Sequence, residues 1–175
     1  MSTSRVATLS PVDVSVVITQ SSTGLVHVVG GYMDDSNITV ERGSDSYEKH
    51  NGVDNKTSRI YKADKSGMIT VNLAQTSVSN DVLDALQRND AAARNSSGLF
   101  SITVKDGSGR SVYFAQEAWI SKVPNSAFGS SMQAREWVMQ AAEMSSLIGG
   151  NGLISPEDVA TIESLGGTIS ADWRA

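Results

Sequence analysis

Very few side chains in this sequence could carry catalytic or metal-binding chemistry. The 175 residues include two histidines, His27 and His50, and no cysteine. Without cysteine, disulfide scaffolds, thiolate metal sites and cysteine nucleophiles are excluded. A two-histidine metal site would need the two rings to meet in space. We expect His27, within an apolar run, to be packed or at an interface, and His50, within a polar segment, to be solvated.

Two pairs of adjacent carboxylates and two glycine clusters could mimic catalytic or phosphate-binding motifs. The carboxylate pairs are Asp34–Asp35 and Glu157–Asp158, and adjacent side chains on a strand point to opposite faces. The second pair is better explained as part of a helix start. The glycine clusters at 30–31 and 149–152 lack the Lys-Ser/Thr pair of a nucleotide-binding loop. We therefore predict no catalytic residue, no metal site, no cofactor and no enzymatic activity.

The composition argues against several further classes of protein. A formal net charge of −5 and a pI near 4.9 argue against a protein that grips nucleic acid by neutralising phosphates. Charged residues make up 19% of the chain, below the roughly 25% of an average domain. Abundant Ser and Gly favour strands and tight turns. No apolar run reaches the roughly 18 residues of a membrane helix, and the N-terminus lacks a signal-peptide pattern, so we expect synthesis in the cytosol.

Period-two alternation of apolar and polar residues predicts that strands dominate the chain. The predicted strands are 12–19, 25–29, 38–41 and 68–73, followed by a hairpin of 100–105 and 112–120. In the first strand Val12 should point inward with Val14. In the last strand Phe114 should share one face with Ala118.

Helical patterns occur in three places. Residues 80–93 should form a helix with Ser79 as its N-cap, and residues 155–165 a short helix that begins at Ser155 and Pro156. By periodicity alone, residues 135–148 also favour a helix. The short C-terminal helix follows a glycine-rich hinge, and it either folds back on the body or docks on another protein.

One long polar segment, residues 43–65, interrupts the pattern with charges of both signs. Polar stretches of this length in a compact domain are functional or disordered. It is either a flexible surface loop or a loop that orders against a neighbouring subunit, and its mixed charge suits an interface with complementary patches.

Taken in order, these segments resemble the tail tube (inner tube) proteins of contractile-tailed bacteriophages. The resemblance is carried by LSPVDVSVVI (9–18), ITVERGSDSYEKHNGVDNKTSR (38–59), SGMITVNLAQTSVSNDVLDAL (66–86), LFSITVKDGSG (99–109) and the EAW and REW motifs within 117–137. It implies a mainly β (α+β) fold, an antiparallel β-sandwich or barrel with one flanking helix. It also implies that 135–148 is a strand. Residues 1–148 would be the tube-like domain, and 149–175 a glycine-rich link and short helical extension not inherited from the family.

The resemblance implies a structural virion protein that self-assembles. Homo-hexameric rings would stack into the hollow inner tail tube, which conducts phage DNA without specific binding during contractile injection. The implied partners are the tail sheath, baseplate and tail terminator proteins, with assembly in the host bacterial cytoplasm and a final location in the virion tail. Two alternatives stay open: a tube initiator or terminator protein, and a monomeric β-sandwich binding module.

Three sets of residues are assigned under this interpretation. Small polar residues on alternating strands would face the lumen: Thr39, Glu41, Thr70 and Asn72. The polar segment would contact another subunit or ring through Tyr47, Glu48, Lys49, His50, Lys56, Arg59, Tyr61 and Lys62. The aromatic residues of the core or interface would be Phe100, Phe114, Trp119 and Trp137.

Overall fold

The computed structural model describes residues 7–33 and 37–175, which contain ten strands and two α-helices. The strands are β1 (Val14–Gln20), β2 (Leu25–Val29), β3 (Ile38–Arg42), β4 (Tyr47–Asn51), β5 (Thr57–Tyr61), β6 (Gly67–Ala74), β7 (Phe100–Asp106), β8 (Val112–Lys122), β9 (Ala134–Ala141) and β10 (Met144–Leu147). The helices are α1 (Ser79–Ala93) and α2 (Pro156–Ser164). Neither helix has the length and apolar character needed to cross a bilayer.

Eight strands form one antiparallel sheet in the order β2-β1-β7-β8-β9-β6-β3, with β10 also paired to β8. The long strand β8 pairs with β10 through residues 112–115 and with β9 through residues 118–122. Tyr32, just after β2, forms a bridge with Leu73 of β6. The two ends of the sheet therefore approach each other, and the sheet curls into a sandwich.

The core lies between the two halves of this curled sheet. Its fully buried side chains come from strands at both ends, among them Ile18 of β1, Ile69 of β6 and Met139 of β9. Helix α1 adds Leu83 and Leu86 to the same apolar cluster. Burying such side chains is worth roughly 1.5–3 kcal/mol each, so the alternating strands and the amphipathic helix stabilise one another through a shared interior.

The fold class predicted from the sequence, a mainly β (α+β) antiparallel sandwich or barrel with one flanking helix and a short C-terminal helix, is confirmed. Residues 134–141 and 144–147 form two strands, where the resemblance implied one strand over 135–148, and the helix favoured by periodicity is wrong. Cross-strand pairing with β6 and β8 decides the conformation there.

Two local predictions at element starts are wrong. Val78, not Ser79, occupies the N-cap position of α1, because the Ser79 hydroxyl is turned towards β2 instead. Val12 lies in a 3-10 turn ahead of β1 and is 91% exposed, since Pro11 begins that turn and β1 starts only at Val14.

The predicted face of β8 is also wrong, because a β-bulge interrupts the strand. Ala115 lies opposite Ile102, and Ala118 lies opposite Phe100. Between these two pairs β8 therefore contains one residue more than β7. Both alanines are buried as a result, and Phe114 is 42% exposed on the other face.

Candidate functional site

His27 and Ser79 form a pair that resembles a nucleophile and its base. The His27 Nε2 atom lies 2.9 Å from the Ser79 Oγ atom. The same hydroxyl oxygen accepts the N–H of Gly30 at 3.0 Å, and Ser79 is only 4% exposed. A nucleophile must be able to reach a substrate, so this pair instead joins β2 to α1.

The other candidates for chemistry are either structural or separated. Within residues 7–33 and 37–175, no group of three His, Asp or Glu side chains could hold a metal ion. Glu157 and Asp158 lie in the first turn of α2, where Ser155 Oγ accepts the Asp158 N–H at 3.2 Å. His50 is exposed on β4. The pair Asp34–Asp35 lies outside the described residues.

One outer face of the sandwich is hydrophilic and contains the four residues predicted to face a lumen. Thr39 of β3 lies directly opposite Thr70 of β6, and directly opposed residues share a face. Glu41 and Asn72 each lie two positions from one of these threonines, so they share the same face. Thr39 and Glu41 are exposed, whereas the other two side chains are half-buried.

The hydrophilic face continues onto β9 and β8. Glu136 of β9 lies opposite Asn72, and Gln140 lies opposite Met68. The Glu136 Oε1 atom is 2.9 Å from Lys122 Nζ, in an exposed ion pair. The face therefore spans four strands, with half-buried Met68 and Val138 among its polar side chains.

The outer face of the other half-sheet carries exposed apolar side chains among small polar ones, and we call it the apolar outer face. One cross-strand row runs through β2, β1, β7, β8 and β10 and consists of Val28, Val17, Thr103, Phe114 and Ser145. Val28 is 59% exposed, and Leu147, beside this row, is 61% exposed. The two outer faces of the sandwich thus differ in chemistry.

The four aromatic residues assigned to the core or an interface occupy three environments. Phe100 and Trp137 are buried in the core. Trp119 is half-buried and lies opposite Gln140, at the margin of the hydrophilic face. Phe114 lies on the apolar outer face, where it is available to a partner.

Residues 43–65, which were predicted to be a loop, form a two-stranded ribbon that we call the arm. Strands β4 and β5 pair from Tyr47–Tyr61 to Asn51–Thr57. The ribbon extends the β3–β6 pair, because Gly43 N–H donates to the Ser66 carbonyl at 2.9 Å. Every residue of β4 and β5 is exposed. The loop prediction missed this pairing because the arm buries no apolar face.

The arm brings together all eight residues predicted to contact another subunit. On one face, the Tyr47 and Tyr61 rings are 5.6 Å apart and the Arg59 guanidinium lies 4.5 Å from the Tyr47 ring centroid. Lys49 lies directly opposite Arg59 on this face. Lys62 and Glu48 form an ion pair at 3.0 Å. His50 lies one position from Lys49, and so on the other face, whereas Lys56 pairs with Asp54 at 3.2 Å near the tip.

The base of the arm is fixed to the body by polar contacts. The Asp64 carboxylate accepts the Ser66 N–H at 2.9 Å, and this hydrogen bond lowers the pKa of Asp64. Lys65 Nζ lies 3.1 Å from Glu143 Oε1, an interaction that raises the pKa of Lys65. These anchors hold the root of the arm and leave its length free.

The C-terminal extension folds back on the body and forms a small lobe, residues 150–175. Its two ends meet where Ile154 bridges Arg174. Arg110, after the β7–β8 turn, donates to the Gly152 carbonyl at 2.6 Å and stacks over the Trp173 ring at 4.8 Å. Arg110 thus attaches the lobe to the body.

Sequence reasoning missed Arg110, Trp173 and Asn80, which hold elements together. Asn80 accepts the Trp137 indole N–H at 2.9 Å and donates to the Ala74 carbonyl at 2.9 Å. The signal for Asn80 was present, because an Asn at the start of a helix commonly bonds nearby backbone. Nothing in the sequence could pair Arg110 with Trp173 across the fold.

Comparison with known proteins identifies the family to which this chain belongs. The family model described as "Bacteriophage PhiTE tail tube protein" matches residues 6–149. The chain belongs to this family of phage tail tube proteins. It is also 37% identical over 169 residues to "Structural protein ORF10" of Pseudomonas phage KPP10, covering 97% of this chain and 98% of that protein. This tail tube family protein is therefore a structural component of the virion and not an enzyme.

Solved structures similar to this tail tube family protein are more distant. A sheath/tube terminator of an extracellular contractile injection system, PVC, has a TM-score of 0.49 and 10% identity, covering 81% of this chain and 97% of that one. The tube terminating cap of the anti-feeding prophage has a TM-score of 0.47 and 9% identity, covering 84% and 97%.

Proposed function

We propose that this protein is the repeating subunit of the hollow inner tube of a contractile phage tail. Homo-hexameric rings close through contacts between neighbouring sandwiches, which also cover the open sheet edges at β2 and β3. The rings stack inside the sheath, between the baseplate and the terminator, and conduct phage DNA into the host. The family match over residues 6–149 is the observation that carries this proposal.

The hydrophilic outer face lines the lumen in this proposal. A conduit for DNA must not bind phosphates, and the chain has a net charge of −5. Thr39, Glu41, Thr70 and Asn72 present hydroxyl, carboxylate and amide groups, and the cation Lys122 on the same face is paired with Glu136. The apolar outer face, with Val28 and Phe114, would be a poor lining for a water-filled channel and faces away from the lumen.

Charge reversal in the lumen tests this orientation. Glu41→Lys should impair DNA delivery, because cations on a ring would hold the passing phosphates. Tubes should still assemble, since Glu41 is exposed and has no ion-pair partner among the described residues. Asp13→Lys, exposed in the turn before β1, is the matched control. Normal infection by phage that carries Glu41→Lys would contradict the lumen assignment.

The number of copies per virion separates a repeating subunit from a tube initiator or terminator. Quantitative mass spectrometry of purified virions should find this chain at a level comparable with the sheath protein. A single ring's worth of copies per particle would instead identify an end protein. A chain absent from virions that binds a ligand as a monomer would support a binding module.

A further inference from the structure

We propose that the face of the arm with Lys49 and Arg59 docks on the C-terminal lobe of a second copy of this chain. The inference rests on the proposed function, because self-assembly is what brings copies side by side. It adds the chemistry of the contact and an acceptor that lies beyond residue 149, where the family match ends.

The arm has the properties of an element that needs a partner. It extends nine residues from Gly43 to the turn at Gly52, a reach of roughly 30 Å at about 3.3 Å per residue. Its two strands are exposed on both faces along their whole length. An isolated two-stranded ribbon is marginally stable in water, so a surface that covers one face would stabilise it.

The charges on the arm select which face is covered. Lys49 and Arg59 are directly opposed, and like charges in this position destabilise a strand pair. Among the described residues, neither has a carboxylate within ion-pair distance, whereas Lys56 and Lys62 each have one. Two unneutralised cations beside a tyrosine pair therefore form a basic and aromatic face, and its natural partner is acidic.

The distribution of charge along the chain points to the acceptor. The arm contains five basic and four acidic residues, whereas residues 150–175 contain one basic and four acidic residues, a net charge of −3 over 26 residues. The 126 residues outside the arm and the lobe also carry −3, so negative charge is about five times denser on the lobe. Glu157 and Thr161 lie on one side of α2, and Leu165, the residue after its last turn, is 83% exposed. The lobe therefore offers exposed carboxylates and an uncovered apolar side chain, groups that complement the cations and tyrosine rings of the arm.

Zero-length carbodiimide cross-linking tests the contact directly. A mixture of unlabelled and 15N-labelled protein at high concentration is cross-linked and analysed by mass spectrometry. We expect mixed-isotope cross-links from Lys49 to Glu157 or Asp172 of the lobe. Cross-links from Lys49 only within one copy, only to carboxylates elsewhere, or not at all would overturn the inference. This readout does not require tubes, so its failure is distinct from a failure of the protein to assemble.

A charge-swap series tests the role of the contact in assembly. K49E/R59E and E157K/D172K should each lower the yield of assembled protein by about tenfold or more, because like charges now face each other. Asp158 and Glu163 are left intact, since they bond Ser155 and Arg174. The combined four-residue variant should regain most of the yield.

The control is R88E/R94E, which changes the net charge by the same amount as K49E/R59E at exposed cations on and just after α1. It should assemble like the wild type. Unchanged assembly of K49E/R59E would overturn the inference, and so would a failure of the combined variant to recover while each single-sided variant folds with a wild-type circular dichroism spectrum.

Discussion

Removing the Asn80 side chain should destabilise the fold measurably. Asn80 Oδ1 accepts the indole N–H of Trp137 at 2.9 Å, and Asn80 Nδ2 donates to the carbonyls of Ala74 and Ser77 at 2.9 and 3.0 Å. In Asn80→Ala, the Trp137 donor loses its partner while the indole stays buried. A buried donor left unsatisfied costs about 1–3 kcal/mol.

The two carbonyls contribute less to this loss. Ala74 O also accepts the Ser77 N–H at 3.0 Å, and Ser77 O also accepts the Asn80 N–H at 3.2 Å, so both keep a backbone partner. A cavity of about 360 Å³ lined by Asn80 and Trp137 could admit water to the freed groups. We therefore expect a loss of about 2 kcal/mol in the free energy of unfolding.

Urea denaturation followed by tryptophan fluorescence measures this loss, and a double-mutant cycle with Trp137→Phe isolates the bond. The coupling between the two positions should be about 1 kcal/mol. A free energy of unfolding for Asn80→Ala within about 0.5 kcal/mol of the wild type would refute the reasoning. It would mean that the hydrogen bond between Asn80 of α1 and Trp137 of β9 does not stabilise the fold.

Three further perturbations have defined outcomes. Gly98→Ala should cost about 1–3 kcal/mol in thermal denaturation, because its Cβ would lie 2.7 Å from the Asp90 Cα; a wild-type melting temperature would contradict this packing. Burial raises the pKa of Tyr32 to about 12, whereas an unfolded tyrosine titrates near 10. The stability contributed by neutral Tyr32 is therefore complete below pH 10 and lost between pH 10 and 12, which an alkaline titration of absorbance and unfolding can follow against Tyr32→Phe; a variant with the same alkaline loss would disprove it. Arg110→Ala should release the lobe and increase hydrogen exchange around Trp173 while the sheet stays protected; unchanged exchange there would rule out the attachment.

Strict alternation made the central strands predictable from the sequence. In β6, Ile69, Val71 and Leu73 alternate with polar residues, and the structure buries all three. The start of α2 was equally predictable, because Ser155 is a preferred N-cap residue and Pro156 is favoured at the first helical position. In both cases the signal is local, since neighbouring residues alone determine it.

The parts that sequence reasoning missed depend on partners distant in the chain. The bulge that exposes Phe114 arises from pairing with β7, and alternation within β8 gives no sign of it. The arm pairs Tyr47 with Tyr61 without an apolar face, so its strands resemble a loop. The four residues assigned to the lumen were brought to one surface by the β3–β6 register, whereas their position in an assembled ring stays a prediction.

Electron microscopy of the purified protein tests the central claim most directly. Negative-stain images at high concentration, with added virion baseplates as nucleation sites, should show hollow rods built from stacked six-fold rings. The rods should have the diameter of the inner tube in contracted virions. Uniform monomers both with and without the added baseplates, or closed rings that never stack, would contradict the account of this chain as the repeating subunit of the tail tube.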